Sequence, residues 1–296
     1  MRPAAAFLAL LILSLASCSA TAVLNATSPR AGVSAERNIA YAAHDRGDLD
    51  IYAPARAPEP APVVVFFYGG GWDSGHRGMY RFVGATLAAN GIVAVIPDYR
   101  VYPEVRFPVF MNDAASAVAW TRANIARFGG DPDRIFLMGH SAGAQIATLL
   151  ALDGEYLRAD GVDPRDIAGV IGLAGPYDFL PLHDDTLKAV FGPEGTRWRS
   201  QPIRFVSPHA PPMFLAAGAS DDTVDPGNTR RLAERLRPDG VPVEEKLYPD
   251  IGHRVLIGAF ASLLTPLAPV RRDTLDFIAA HGEPAAAQDQ RAEAAD

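Results

Sequence analysis

The chain has 296 residues, of which 49% are hydrophobic and 21% charged, with a net charge of −7. This is a globular composition, ample for one core of about 250 residues, and nothing in it demands a second domain. An acidic balance with no run of Lys or Arg speaks against nucleic acid and other polyanionic partners, and no internal repeat is present.

Residues 1–22 read as an export signal: Arg2 is a minimal charged start, and the apolar run 4–15 falls well short of the ~20 residues that span a bilayer. Leu15-Ala16-Ser17-Cys18 is similar to the bacterial lipobox. That predicts cleavage before Cys18, lipidation of its thiol and an enzyme anchored to the cell envelope. The rival is cleavage after Ala20-Thr21-Ala22, an A-x-A site, with a soluble periplasmic or secreted product. Cys18 is the sole cysteine, so no disulfide is expected. Residues 23–37, polar and rich in small residues, read as a tether, with the folded domain over 38–282 and a disordered tail over 283–296.

Within the domain, 38–43 and 49–53 read as edge strands of a hairpin, and 54–62 as a Pro/Ala loop. Residues 63–68 form an unbroken apolar run, the mark of a strand buried on both faces. Helices are then expected over 78–90, 107–128, 142–150, 227–236 and 269–280, and strands over 92–97, 134–139, 168–174, 213–217 and 241–248. Strands separated by helices predict right-handed crossovers and a mostly parallel, doubly wound α/β sheet with helices on both faces.

One strand runs directly into Gly139-His140-Ser141-Ala142-Gly143 and then a helix. A G-x-S-x-G placed this way is a nucleophile elbow, whose glycines relieve a strained turn that lifts the serine hydroxyl above the sheet. A serine hydroxyl needs a base to take its proton, and the base needs an acid to orient it; in this kind of fold they follow in the order Ser, acid, His. Of seven histidines, His44, His76 and His140 precede or adjoin the serine, His183 and His209 precede the best acid, and His281 ends the last helix. His253 remains, in a loop just after the last strand. In Gly218-Ala-Ser-Asp221-Asp222-Thr-Val-Asp225, Asp221 has the spacing of a hydrolase acid and Asp222 is its competitor, while Asp225, before Pro226, reads as a helix N-cap. Tyr68-Gly69-Gly70-Gly71-Trp72 ends the first buried strand without the Gly-Lys-Ser/Thr of a phosphate loop. With the N–H of Ala142, Gly70 and Gly71 would form the donors of an oxyanion hole. Residues 177–204 hold Phe179, Leu180, Leu182, Phe191 and Trp198 and read as a short lid, with Trp72 and Tyr177 as candidate pocket residues.

Gly69-Gly70-Gly71-Trp72, Asp98-Tyr99-Arg100, Phe128-Gly-Gly-Asp-Pro-Asp-Arg-Ile135 and the elbow together resemble the α/β-hydrolase carboxylesterases, especially the bacterial feruloyl-esterase-like and prenylcysteine-methylesterase-like members. The similarity runs from about residue 38 to 282. It implies hydrolysis of small carboxylic esters through an acyl-serine, with Ser141, Asp221 and His253 as triad, Gly70, Gly71 and Ala142 as hole, and no cofactor or metal. The family usually has His before the three glycines, where this chain has Tyr68. An arylformamide hydrolase using the same residues, and a silent binding protein on a hydrolase scaffold, are the alternatives.

Overall fold

The structure, a computed structural model, describes residues 20–56 and 60–282. Cys18, most of the expected export signal and the tail over 283–296 lie outside the described residues. Eight strands form one sheet in the order β1-β2-β4-β3-β5-β6-β7-β8: β1 (Val33–Ala40), β2 (Asp48–Pro54), β3 (Ala61–Phe67), β4 (Val93–Pro97), β5 (Gly130–His140), β6 (Ile167–Leu173), β7 (Met213–Gly218) and β8 (Val243–Tyr248). β1 and β2 pair antiparallel to their neighbours, and every pair from β4 through β8 is parallel.

Strand order fixes where the helices go. The step β3→β4 runs one way along the sheet, whereas β4→β5, β5→β6 and β7→β8 run the other. Right-handed crossovers therefore put Arg81–Ala89 on one face, and Val109–Asn124, Ala142–Leu152 and Gly227–Leu236 on the opposite one. Val270–His281 joins the first face: its Phe277 meets Phe136 and Phe214 at 6.2 and 6.0 Å between ring centroids. The reversal of direction occurs at β3, where Val63 to Phe67 are fully buried. It leaves a crevice at the carboxyl ends of β3 and β5, the place such sheets offer a ligand.

Two expectations change at the N-terminal edge. Residues 23–37 are not a tether: Ala20–Ala26 is a helix, and β1 begins at Val33. Asn25 anchors that helix, donating to the Gly78 carbonyl at 2.9 Å and accepting the Phe82 N–H at 3.0 Å, so it satisfies one of the otherwise unpaired donors at the start of Arg81–Ala89. The first edge strand starts at residue 33 and not 38 because β1 is exposed along most of its length, which leaves no apolar alternation to mark it. A register irregularity between Glu36 and Ile39 bends it, with Asn38 at φ 57°.

A charged cluster ties this edge to the sheet. Arg77 Nε donates to Asp50 Oδ1 at 2.9 Å, its Nη1 pairs with Asp98 Oδ2, and its backbone N–H donates to Asp98 Oδ1 at 2.7 Å. Both carboxylates are buried. Removing the one cation would strand two charges in a low-dielectric setting, so Arg77→Met is expected to lower stability by roughly 3–5 kcal/mol. Urea unfolding of the two proteins side by side measures this.

Candidate active site

Ser141 is the single residue between β5 and the helix Ala142–Leu152, and its backbone is strained at φ 57°, ψ −125°. A positive φ at a non-glycine residue costs on the order of 1–3 kcal/mol and needs support from its surroundings. Here the Ser141 N–H donates to Leu173 O on β6 at 2.9 Å, and its carbonyl accepts from Ala144 N at 2.9 Å. The flanking glycines make the turn possible. A Cβ on Gly139 would lie 2.1 Å from Gly143 O, and one on Gly143 would lie 2.0 Å from Phe67 O. Ser141 remains partly open to solvent while His140 and Ala142 are buried.

The loops after β7 and β8 are joined by backbone bonds, Ala219 N to Tyr248 O at 2.8 Å and Ser220 N to Ile251 O at 3.1 Å. They bring His253 Nδ1 to 2.7 Å from Asp221 Oδ2. The Asp221 side chain has no exposed surface, and its other oxygen accepts the N–H groups of Thr223 and Val224, each at 2.9 Å. Asp222 is exposed, with Thr223 Oγ1 at 3.3 Å. Of the two neighbouring acids, then, Asp221 is the one that meets the histidine. Because a carboxylate only accepts, neutral His253 carries its proton on Nδ1 and leaves Nε2 as a lone pair. Asp225 Oδ1 accepts the Gly227 N–H at 2.9 Å, at the first residue of the following helix.

The glycine loop lies against the serine, since a Cβ on Gly69 would come within 2.9 Å of Ser141 Cβ. The Gly70 carbonyl is turned into the loop, accepting from Asp73 N at 3.1 Å, Ser74 N at 3.0 Å and Ser74 Oγ at 2.8 Å. The N–H groups of Gly70, Gly71 and Ala142 have no acceptor among the described residues. Gly70 and Gly71 sit at φ 150° and 60°, and at Gly70 a Cβ would lie 2.2 Å from Ser74 O.

Tyr68, in place of the usual histidine, is wholly buried. Its ring stacks on Tyr99 at 4.7 Å and Tyr80 at 5.8 Å. Its hydroxyl donates to Asp98 Oδ1 at 2.9 Å and accepts from Arg46 Nη2 at 3.0 Å, while its carbonyl accepts the Tyr99 hydroxyl at 2.6 Å. Asp98 and Tyr99 thus hold the loop's entry through Tyr68. Arg100 turns away to a bidentate pair with Asp113, 2.6 and 2.9 Å.

The two pocket candidates part company. Trp72, at φ 62°, donates from Nε1 to Gln145 Oε1 at 3.0 Å and packs with Phe179 and Phe191 of the lid at 5.8 and 4.8 Å. Tyr177 does not line a pocket. It is fully buried with its hydroxyl against Gly172 of β6, where a Cβ would come within 2.1 Å, so it is a core ring beneath the lid. Among the described residues no group of three or more His, Cys, Asp or Glu is placed to hold a metal ion.

His140 is the residue that chain order discards and the structure returns. Its ring lies 4.6 Å from that of His253, and Nε2 sits 3.1 Å from the His253 carbonyl. A carbonyl can only accept, so Nε2 carries the proton. Burial first, and the neighbouring His253 second, hold His140 down at about 3, hence neutral. An unfolded chain protonates this imidazole near its ordinary value of about 6.5 while the native state does not. Stability should therefore fall as pH drops from about 6.5 towards about 3, and His140→Gln should show a shallower loss over that window in urea titrations at graded pH.

The family model described as BD-FAE matches residues 49–236, more than half of the chain, a span that includes Ser141 and Asp221 and ends before His253. A probable isoprenylcysteine alpha-carbonyl methylesterase of Arabidopsis thaliana is 31% identical over 234 residues, covering 72% of this chain and 49% of that protein. Esterase LipC of Mycobacterium tuberculosis is 34% identical over 222 residues, 68% of this chain and 55% of that one. The chain spans about half the length of these curated relatives. Among solved structures, esterase B from Lactobacillus rhamnosis superposes with a TM-score of 0.74 over 97% of this chain and 98% of its own, at 23% identity. A truncated carbohydrate esterase from gut microbiota gives 0.74 over 86% and 99%, at 20% identity. Both share the fold. With the elbow, the parallel sheet and the model match in agreement, the chain belongs to the BD-FAE family of α/β-hydrolases.

Proposed function

We propose that the chain is a serine carboxylesterase. The observation that carries this reading is the 2.7 Å contact between the buried Asp221 carboxylate and His253, together with a strained, solvent-accessible Ser141 at the end of β5. His253 Nε2 takes the Ser141 proton as Oγ attacks the ester carbonyl, and Asp221 stabilises the resulting imidazolium. The unengaged N–H groups of Gly70, Gly71 and Ala142 meet the oxyanion. Collapse passes the proton from His253 to the departing alcohol, leaving an acyl-serine that water cleaves by the same steps. That the relatives are named as esterases supports an ester substrate. Export with lipidation at Cys18 is the accompanying proposal and rests on the apolar run and Leu15-Ala16-Ser17-Cys18 alone.

Ser141→Ala and His253→Ala are each expected to lower kcat for a chromogenic ester by roughly 10⁴-fold or more with the fold intact. Asp221→Asn should cost several orders of magnitude, and Asp222→Asn, on the exposed side of the loop, under about tenfold. Robust turnover by purified Ser141→Ala, or a larger loss at Asp222 than at Asp221, sinks the assignment.

The same site argues for small acyl groups. Trp72, next to the glycine loop, is pinned by Gln145 and walled by Phe179 and Phe191 of a short lid. Dissolved acetyl and butyryl esters should be cleaved at least about tenfold faster, in kcat/KM, than palmitoyl esters or emulsified long-chain lipid, a discrimination of a size that one crowded pocket can supply. The acyl-length profile of wild type against Trp72→Ala, which should shift towards longer chains, measures it.

A further inference from the structure

A cavity of about 230 Å³ opens beside the edge strand β1, and its lining includes Ser28, Arg30, Val33, Arg37, Tyr52 and Arg81. None of these residues belongs to the Ser141 site. Three arginines thus share one cavity in a chain of net charge −7. Among the described residues, none of the three guanidinium groups makes an ion pair or donates a hydrogen bond. Arg30 and Arg37 are exposed and Arg81 is half-buried; in like half-buried settings Arg77 is neutralised by Asp50 and Asp98, Arg100 by Asp113 and Arg134 by Asp131. Arg81 is the innermost of the three, and its Nε is shut off from water with no acceptor. A desolvated guanidinium N–H without an acceptor is a standing cost that a bound anion removes.

The rest of the cavity is built to take a group with both charge and apolar surface. Tyr52, 2% exposed, seats its ring against Gly84, where a Cβ would come within 2.4 Å, so the helix carrying Arg81 sits low over it. Asp50, 3.4 Å from the Tyr52 hydroxyl, is already held by Arg77 at 2.9 Å and leaves the arginines without a counter-charge. A carboxylate is matched by one guanidinium fork. Three unpaired forks around one cavity match the several oxygens of a phosphate.

We propose that this cavity binds a phosphate ester, with Arg81 as its inner contact and Arg30 and Arg37 at the mouth. The same chemistry is offered by a small organic phosphate and by the headgroup of an anionic phospholipid, and two arms separate them. In one, the full chain is titrated calorimetrically with glycerol 3-phosphate. In the other, it is co-sedimented with vesicles of phosphatidylglycerol or of phosphatidylcholine. Each is repeated with Arg81→Gln and with Arg30→Gln/Arg37→Gln/Arg81→Gln, whose butyryl-ester turnover and melting temperature should match the parent. Binding of glycerol 3-phosphate that weakens about tenfold or more in Arg81→Gln supports a free phosphate ester. Retention on phosphatidylglycerol alone, lost in the triple variant, supports a lipid headgroup. If Arg81→Gln does not fold, the pair Arg30→Gln/Arg37→Gln should still weaken binding and flatten its salt dependence. No saturable binding in either arm, or binding unchanged by the triple variant, overturns the proposal.

Discussion

The approach of Gly143 to the end of β3 is the constraint on which the rest of the site depends. With no side chain at 143 the helix Ala142–Leu152 descends until its second residue touches the Phe67 carbonyl, and the turn before it has room for only one residue. That residue is Ser141, held at positive φ by Leu173 on one side and its own helix on the other. The strain is local, and its support is spread over three strands: β3 sets the height of the helix, β5 delivers the chain, and β6 fixes the serine amide. Because β3 is also where the crossover direction reverses, the same contact puts the hydroxyl in the crevice beside the glycine loop.

That loop needs independent support, since glycines have no side chains with which to hold it. Support comes from below, through Tyr68. Its carbonyl is taken by Tyr99 and its hydroxyl by Asp98 and Arg46, so the strand end is clamped on both sides before the glycines begin. The Tyr68 phenol reaches the Asp98–Arg77 cluster that also anchors β1 and β2. Loop geometry and the edge of the sheet are thereby joined in one polar network. Such buried networks specify a single arrangement when every member is satisfied.

The buried strands and the long amphipathic helices were legible because burial on both faces, or on one stripe, writes itself as an apolar run or period: β3, β4 and Gly227–Leu236 fall within a residue or two of expectation. β1 and Ala20–Ala26 were not, for the opposite reason. They are held largely by backbone pairing and by Asn25, and polar residues at a surface edge look like a linker. In the site, chain order and strand ends pointed to Ser141 and His253 and left Asp221 with Asp222 as its competitor; the contact with His253 falls to Asp221. Tyr177 failed as a pocket residue because position next to a lid says nothing about which way a ring turns. His140 was set aside on local geometry. The elbow turns its side chain to pack under His253, a long-range contact that no local pattern encodes.

The lid and the helix after Ser141 are also less separate than their place in the chain suggests. Trp72 on the glycine loop donates to Gln145 on the helix after Ser141, and Gln145 donates in turn to Ser200 O in the lid segment at 2.9 Å. Ser200 Oγ accepts from Gln201, whose side-chain carbonyl accepts the Phe179 N–H at 2.7 Å, and Phe179 stacks back on Trp72. The chain of contacts closes on itself, with a fully buried glutamine at its centre. An acyl group that displaced Trp72 would have to leave the buried Gln145 carbonyl oxygen unpaired as well as open an aromatic wall, and an unpaired buried polar group costs about 1–3 kcal/mol. In the proposed esterase, exclusion of long acyl groups would therefore rest on the polar chain behind the tryptophan as much as on the ring itself.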